Sequence, residues 1–234
     1  MSGGGLQRGG SAAPRIALIH ALAHSVAPIN QALARDWPEA VRMNLLDDSL
    51  SADLARTAAA GGDGLDATMH QRFEDLCAYA ERTGAQGILF TCSAFGPCIE
   101  AAAARRPHMP VLKPNEAMVA DAVASGLPVG LVASFAPTLQ SMPAEFPAGA
   151  GVRTAFADGA MRALDQGDGA AHDAAVLAAA QGLLAQGCGV IALAQFSMAR
   201  AAPLLRQRLP ASVPVLTTPD SAVAALRQRL GAGG

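Results

Sequence analysis

A long-range repeat restricts this fold more than any other feature. The stretch "GAQGILFTCSAFGPCIEAAAARR", from Gly84, has a counterpart in "GCGVIALAQFSMARAAPLLRQRL", from Gly187. Each runs from a glycine through an apolar strand and a small-residue loop into a helix. Each is followed by Pro-Val-Leu and a further helix start, "PVLKPNEAMVADAV" in one case and "PVLTTPDSAVAAL" in the other. The beginnings correspond more loosely: "RIALIHALAHSVAPI" and "LPVGLVASFAPTLQS" are both an apolar strand, a turn and a proline-led helix. All β-α-β units share a pattern, so chance likeness is the competing explanation. The two Pro-Val-Leu runs, set at nearly equal distances from their strand ends, favour duplication.

The alternation within each half gives the fold class. "RIALIHAL" (Arg15 to Leu22) reads as a buried strand, a helix follows Pro28, and "AVRMNLLDD" reads as a second strand running into a loop. Met69, Phe73, Leu76, Cys77 and Ala80 recur at helical spacing between about Asp66 and Arg82. "GAQGILFTC" is a strand, and "PCIEAAAARR" is a helix with proline in its first turn. Strand and helix in repeated alternation predict an α/β fold of two pseudo-symmetric halves, each a parallel sheet flanked by helices. Residues 1–13 read as a disordered tail, 14–126 as the first half, with the helix at 219–230 a candidate addition to it, and 127–230 as the second half. In open parallel sheets ligands bind beyond the carboxyl ends of the strands, so two facing halves predict one cleft between them.

Composition narrows the function classes. The chain of 234 residues is 51% hydrophobic, 15% charged and 4% aromatic, with a formal net charge of -2. No basic patch with interleaved aromatics is present, so nucleic acid is not an expected partner. No run of about 18 apolar residues is free of charges and breakers, so no membrane-spanning helix is expected. The N-terminal "MSGGGLQRGGSAAP" lacks the apolar centre of a signal peptide. The four cysteines are therefore expected to be reduced thiols in a cytoplasmic protein. Dinucleotide-binding and P-loop glycine motifs are missing, so the sequence gives no nucleotide signal, and the nucleophile-elbow motif of hydrolases is absent too.

Four strand-end loops supply the candidate site residues: His20-Ala21, Cys92-Ser93, Ser134 to Thr138, and Gln195 to Ser197. Cys92 stands where a strand ends and a helix is about to begin, and free backbone N–H groups and the helix dipole favour a thiolate there. A buried structural cysteine fits the position equally well. Cys77, Cys98 and Cys188 read as packed. Ser134, Thr138 and Ser141 surround a strand-to-helix turn whose hydroxyls and amides suit a carboxylate; helix capping is the alternative. His20, at a strand mouth, is a candidate substrate contact or proton carrier. Its pairing with His24 lacks the glutamate of a zinc-protease motif, so no metal site is expected. His70, His108 and His172 read as surface residues. Asn115 reads chiefly as a helix cap that could also reach the cleft. "LDDSLSADL" reads as a polar loop, with Ser49 or Ser51 capping a helix, and as a candidate lid.

With these motifs in their order and spacing, the chain from about Pro14 to Leu230 resembles the cofactor-independent aspartate/glutamate/hydantoin racemase superfamily, which includes arylmalonate decarboxylases and maleate isomerases; the resemblance implies that no cofactor is needed. "FTCSAFG" is similar to the family's first cysteine loop, which would make Cys92 its thiol. "GLVASFAPTLQS" is similar to the turn that holds a substrate carboxylate, with Ser134 and Thr138 at the matching positions. "IALAQFSMA" falls where the family has its second cysteine loop, but the repeat aligns Gln195 with Cys92, so the second thiol is missing. A glutamine cannot exchange a proton at ordinary pH. The resemblance therefore implies proton transfer at a carbon next to a carboxylate by Cys92 alone. Ser93, Ser134 and Thr138 would bind carboxylate, and Gln195 would orient substrate. A one-thiol decarboxylase, lyase or isomerase ranks above a racemase that uses His20 as second base, and a non-catalytic carboxylate-binding protein is the other alternative. A small carboxylate is the expected ligand, and a homodimer would fit the family.

Overall fold

Strands whose every side chain is apolar and buried must be covered on both faces, and four of the eight strands among the described residues are of that kind: Gly87–Phe90, Val129–Ala133, Val190–Leu193 and the short Val111–Leu112. The computed structural model, which describes residues 13–62 and 64–231, arranges them in two four-stranded parallel sheets. The first half runs β1 (Arg15–His20), α1 (Val26–Asp36), β2 (Val41–Leu46), α2 (Ser49–Ala59), α3 (Ala67–Arg82), β3 (Gly87–Phe90), α4 (Gly96–Ala104), β4 (Val111–Leu112) and α5 (Glu116–Ala124). The second runs β5 (Val129–Ala133), α6 (Ala136–Ser141), β6 (Arg153–Phe156), α7 (Ala160–Asp165), α8 (Gly169–Ala185), β7 (Val190–Leu193), α9 (Ala202–Arg208), β8 (Val215–Thr217) and α10 (Thr218–Gly231). The sheet orders, β2-β1-β3-β4 and β6-β5-β7-β8, are the same arrangement twice. Nearly all of the expected tail at 1–13 lies outside the described residues.

The register makes the repeat three-dimensional. Ile16 pairs with Gly87 and Ile19 with Phe90 in one sheet; Val129 pairs with Val190 and Val132 with Leu193 in the other. Gly84 and Gly187, which open the two repeats, each follow the end of a long helix with φ of 82° and 89°. That left-handed conformation is penalised by a Cβ, which is why glycine stands at both.

Helices cover both faces of each sheet. α3 and α4 bury Phe73, Cys77 and Ile99 against Ala17, Ile19 and Ile88 of the first sheet. The second sheet has α8 and α9 on the corresponding face, through Val176, Leu183 and Leu205. The remaining two faces are covered by exchange. α5, which ends the first half, packs Met118 and Ala122 on Val129 and Leu131 of the second sheet. α10, which ends the chain, packs Val223 and Leu226 on Ile16 and Leu18 of the first. The strand-end turns also meet in pairs across the halves: the 3-10 turn Ala23–Ser25 lies against the turn Phe196–Ala201, and Ser93–Phe95 against α6.

Several expected details differ. β1 stops at His20 rather than Leu22, because Asp47 N–H to His20 O at 3.0 Å is the last bond its neighbours offer. α1 begins at Val26, which leaves Pro28 in the first turn, where its missing N–H costs nothing. Neither Ser49 nor Ser51 caps α2; the Asp47 carboxylate accepts the Ser49 N–H at 3.2 Å. Asn115 makes no side-chain cap to α5; its buried Nδ2 has no partner within hydrogen-bond geometry among the described residues, and the side chain faces Glu145. His172 is not a surface residue but fully buried, with Nδ1 2.8 Å from Asp173.

An alanine Cβ at Gly84 or Gly187 would meet nothing within 4 Å, so only the backbone would object. Each Gly→Ala substitution is expected to lower stability by about 1–2 kcal/mol in urea denaturation. The double variant should lose about the sum, since the two sites share no partner.

Candidate active site

The site is assembled from the four strand ends, and each residue is held there by the backbone of its turn. Cys92 and Gln195 occupy the same place in the two halves. Each is the extended residue that opens a 3-10 turn, with φ and ψ of -128° and 122° for Cys92 and -134° and 145° for Gln195. Small residues precede and follow each turn, so the chain can leave the sheet sharply.

Cys92 is partly exposed, but its sulfur borders a crevice walled by His20, Leu50, Phe73, Phe90 and Phe95. Phe73 stacks on Phe90 at 5.1 Å and packs tilted against Phe95 at 5.0 Å between ring centres, giving the crevice an apolar floor. α2 closes the other side. Leu50 is 1% exposed and packs into the same core, and the crevice is nowhere wide enough to seat a water molecule. Arg72 of α3 ties this helix down through Asp47 at 2.7 Å and Asp53 at 2.6 Å. The "LDDSLSADL" segment therefore lies over the thiol. Burial pushes the Cys92 thiol above its ordinary range; hydrogen bonds to the sulfur from the Ala94 N–H and the Ser51 side chain pull the other way and do not offset it.

His20 is fully buried, and both ring nitrogens are engaged. Nδ1 lies 2.9 Å from the Thr91 hydroxyl and Nε2 3.0 Å from Asn44 Oδ1, which also accepts from Asn30 at 2.8 Å. With the Asn44 oxygen so assigned, Nε2 carries the proton and Nδ1 accepts. Burial lowers the His20 pKa, although the Asn44 contact acts upward. The ring is thus a neutral, doubly anchored element of the crevice wall. His24 does not join it; it reaches Asp165 of the other half at 2.9 Å on the exposed rim.

In the second half the hydroxyl turn is already engaged. Ser134 does not cap a helix: its backbone N–H donates to Gln195 Oε1 at 2.6 Å and its hydroxyl to the same oxygen at 3.0 Å. A backbone N–H can only donate, so the facing atom is the amide oxygen. Nε2 of Gln195 is thereby turned away from Ser134 with no protein partner among the described residues. Thr138 is 4% exposed, and its hydroxyl has no hydrogen-bond partner among the described residues. Ser93 follows Cys92 in the turn Ser93–Phe95, which packs on α6, the helix that carries Thr138.

Asn115 lies apart from these groups at the end of β4, facing Glu145, whose carboxyl burial pushes above its ordinary range. Cys77 and Cys98 are core residues, and Cys188 is 6% exposed. Among the described residues no three His, Cys, Asp or Glu side chains gather as a metal site would need, and no helix is long and apolar enough to cross a membrane. A separate depression of about 390 Å³, bordered by Asp36, Asp220 and Arg227, shares no residue with the crevice. Ser51 and Leu50 are the site residues that sequence reasoning missed. Their signal was their place in the first turn of a helix that starts at the strand-end edge.

A family model described as Asp/Glu/Hydantoin racemase matches residues 23–226. No curated relative matches the chain by sequence. Among solved structures, the Picrophilus torridus aspartate racemase superposes with a TM-score of 0.67 at 13% identity over 93% of this chain and 94% of that one. The allantoin racemase from Klebsiella pneumoniae gives 0.69 at 19% identity over 94% and 89%. An unliganded arylmalonate decarboxylase gives 0.57 at 15% identity over 94% of each chain. At these identities the likeness is one of fold.

Because burial favours the neutral thiol, Cys92 should react slowly with iodoacetamide at neutral pH. Its alkylation rate, followed by peptide mass spectrometry, should climb with pH to an inflection above that of free cysteine.

Proposed function

The chain belongs to the Asp/Glu/Hydantoin racemase family, and from that premise we propose that it is a cofactor-independent enzyme that delivers a proton, from Cys92 alone, to a carbon next to a carboxylate. The observation that carries this reading is the pairing of one thiol with one amide at the two equivalent strand ends, Cys92 and Gln195. A two-base racemase needs a titratable group on each face of the reacting carbon. Here one face would meet a sulfur, and the other an amide that cannot exchange a proton. A one-thiol decarboxylase, lyase or isomerase fits that set best.

The protonation state of the thiol agrees with the direction of transfer. A Cys92 that keeps its proton is a poor base in the resting enzyme and a competent acid toward a carbanion. In a decarboxylation, loss of carbon dioxide would leave an enediolate. The S–H bond would break as the new C–H bond forms, with the electron pair remaining on sulfur, and solvent would later restore the thiol proton. The Gln195 Nε2 donors, held in place by Ser134, would meet the developing oxyanion together with the Thr138 and Ser93 hydroxyls. For a maleate-type isomerisation the same sulfur would act as nucleophile.

His20 as a second base, which would restore a racemase, is disfavoured: its lone nitrogen acceptor is spent on Thr91 and its N–H on Asn44. A non-catalytic carboxylate-binding role has no observation in its favour over the catalytic one.

The test is turnover across a panel of substituted malonates, amino acids and hydantoins, read in D2O for α-deuterium. Cys92→Ala should lose roughly 10²–10⁴-fold in kcat/KM on the best substrate; full retention would overturn the reading. Installing the second thiol by Gln195→Cys should add α-deuterium exchange with inversion, which the parent lacks. A parent that already exchanges with inversion would show a two-base enzyme instead.

A further inference from the structure

One buried titratable group takes no part in the site described so far. His172 of α8 is fully buried, and its Nε2 has no partner among the described residues. In the repeat it corresponds to Met69, 103 residues earlier, so an imidazole stands where the first half has a core methionine. Its Nδ1 lies 2.8 Å from Asp173 Oδ1. A carboxylate only accepts, so that nitrogen carries the hydrogen. Burying an imidazole with one nitrogen unpaired is costly. The one hydrogen bond it makes goes to the residue that holds Arg200.

Arg200 belongs to the turn Phe196–Ala201, which Gln195 opens. Its Nε donates to Asp173 Oδ1 at 2.9 Å and its Nη2 to Oδ2 at 3.4 Å, a two-pronged pair that fixes direction as well as distance. The guanidinium also lies against Gly169, the first residue of α8. A Cβ at Gly169 would stand 1.9 Å from Nη2 and 2.4 Å from Cζ of Arg200. The turn has two other anchors: Phe196 packs in the core of the first half, and Met198 and Ala201 in that of the second. Arg200 ties it to α8 as well. In the first half, Asp66, His70 and Pro97 stand where Gly169, Asp173 and Arg200 do, so no such clamp can form. It serves the turn that begins with an amide and not the one that begins with a thiol.

We propose that Arg200 is a positioning residue for Gln195: clamped to Asp173 over Gly169, it holds the turn so that the Gln195 carboxamide stays seated on Ser134. The proposal rests on the role given to Gln195 above and goes beyond it, because it assigns what keeps that amide in register. Two hydrogen bonds to one oxygen, at 2.6 and 3.0 Å, tolerate little displacement of the turn that carries it. An amide that is to meet a developing oxyanion works best when held in advance, since nothing then has to reorganise as the charge appears. His172 completes the clamp by keeping the Asp173 carboxylate turned toward Arg200.

The experiment breaks the clamp without removing a charge. Gly169→Ala places a methyl group where the guanidinium lies, and the flexible Arg200 side chain must move off. Alanine is a better helix former than glycine, so α8 stays intact and the melting temperature should not fall. The first readout needs no substrate: the side-chain amide signals of Gln195 in an NMR spectrum of the full chain, identified by their loss in Gln195→Ala. They should shift and broaden in Gly169→Ala and in Arg200→Met alike. On the best substrate Gly169→Ala should lower kcat about fivefold with KM little changed. In a Gln195→Ala background it should lower kcat no further, because the clamp acts through that side chain. Gln195 amide signals that stay in place in both variants overturn the proposal. So does an equal loss of kcat in the Gln195→Ala background, which would make the clamp a matter of structure alone. Neither outcome touches the role of Cys92, which stands or falls on Cys92→Ala turnover.

Discussion

Everything at the site follows from parallel strand pairing. A parallel strand cannot be reached by a tight turn; the chain must cross back over the sheet, here through a helix each time. All carboxyl ends of a sheet therefore lie along one edge, and every strand-to-helix turn opens there. Doing this twice places two such edges in one molecule. The exchange of terminal helices, α5 onto the second sheet and α10 onto the first, holds the halves together through apolar packing. This burial is what fixes the cleft, because the exposed His24–Asp165 pair across the rim contributes little by itself.

Much of this was legible in the letters. Fully apolar runs such as "GILF" and "VGLVA" can only be strands covered on both faces, and their alternation with alanine-rich helices predicts the architecture found. The 103-residue offset between Gly84 and Gly187 carried the register as well, and Cys92 and Gln195 adopt matching backbone angles at matching turns. Legibility ended where an outcome depends on which partner a polar side chain meets. Ser134 offered capping or ligand binding, and its actual partner is Gln195, 61 residues away. His172 appeared solvated from its polarity, yet the helix face it shares with Val176 and Ala180 is buried. Ser51 looked like one more helix-start hydroxyl; only the packing of α2 over the crevice distinguishes it from Ser49.

Charge economy explains why a thiol is suited to this cleft. Crevice residues contribute aromatic rings, aliphatic carbons, a neutral imidazole and no cation, so an ionised group would be expensive there. A cysteine in that setting holds its proton more firmly than in water, which makes it a reserve of acid rather than a standing nucleophile. The Ala94 N–H and the Ser51 hydroxyl act the other way and do not offset the burial, so the resting thiol keeps its proton.

The two halves share a frame but have reversed its polarity. By strand register, Ala21 at the end of β1 corresponds to Ser134 at the end of β5, just as Cys92 corresponds to Gln195. In the first half that position supplies a carbonyl, which engages Ser51 of α2. In the second it supplies an N–H and a hydroxyl, which fix the oxygen of the glutamine. One half thus presents a thiol at this turn, and the other an amide that cannot exchange a proton at ordinary pH. A symmetric pair of proton carriers treats both faces of a planar intermediate alike. A thiol facing an amide is not such a pair, and under the proposed reading a carbon between Cys92 and Gln195 would receive its hydrogen from the sulfur side only.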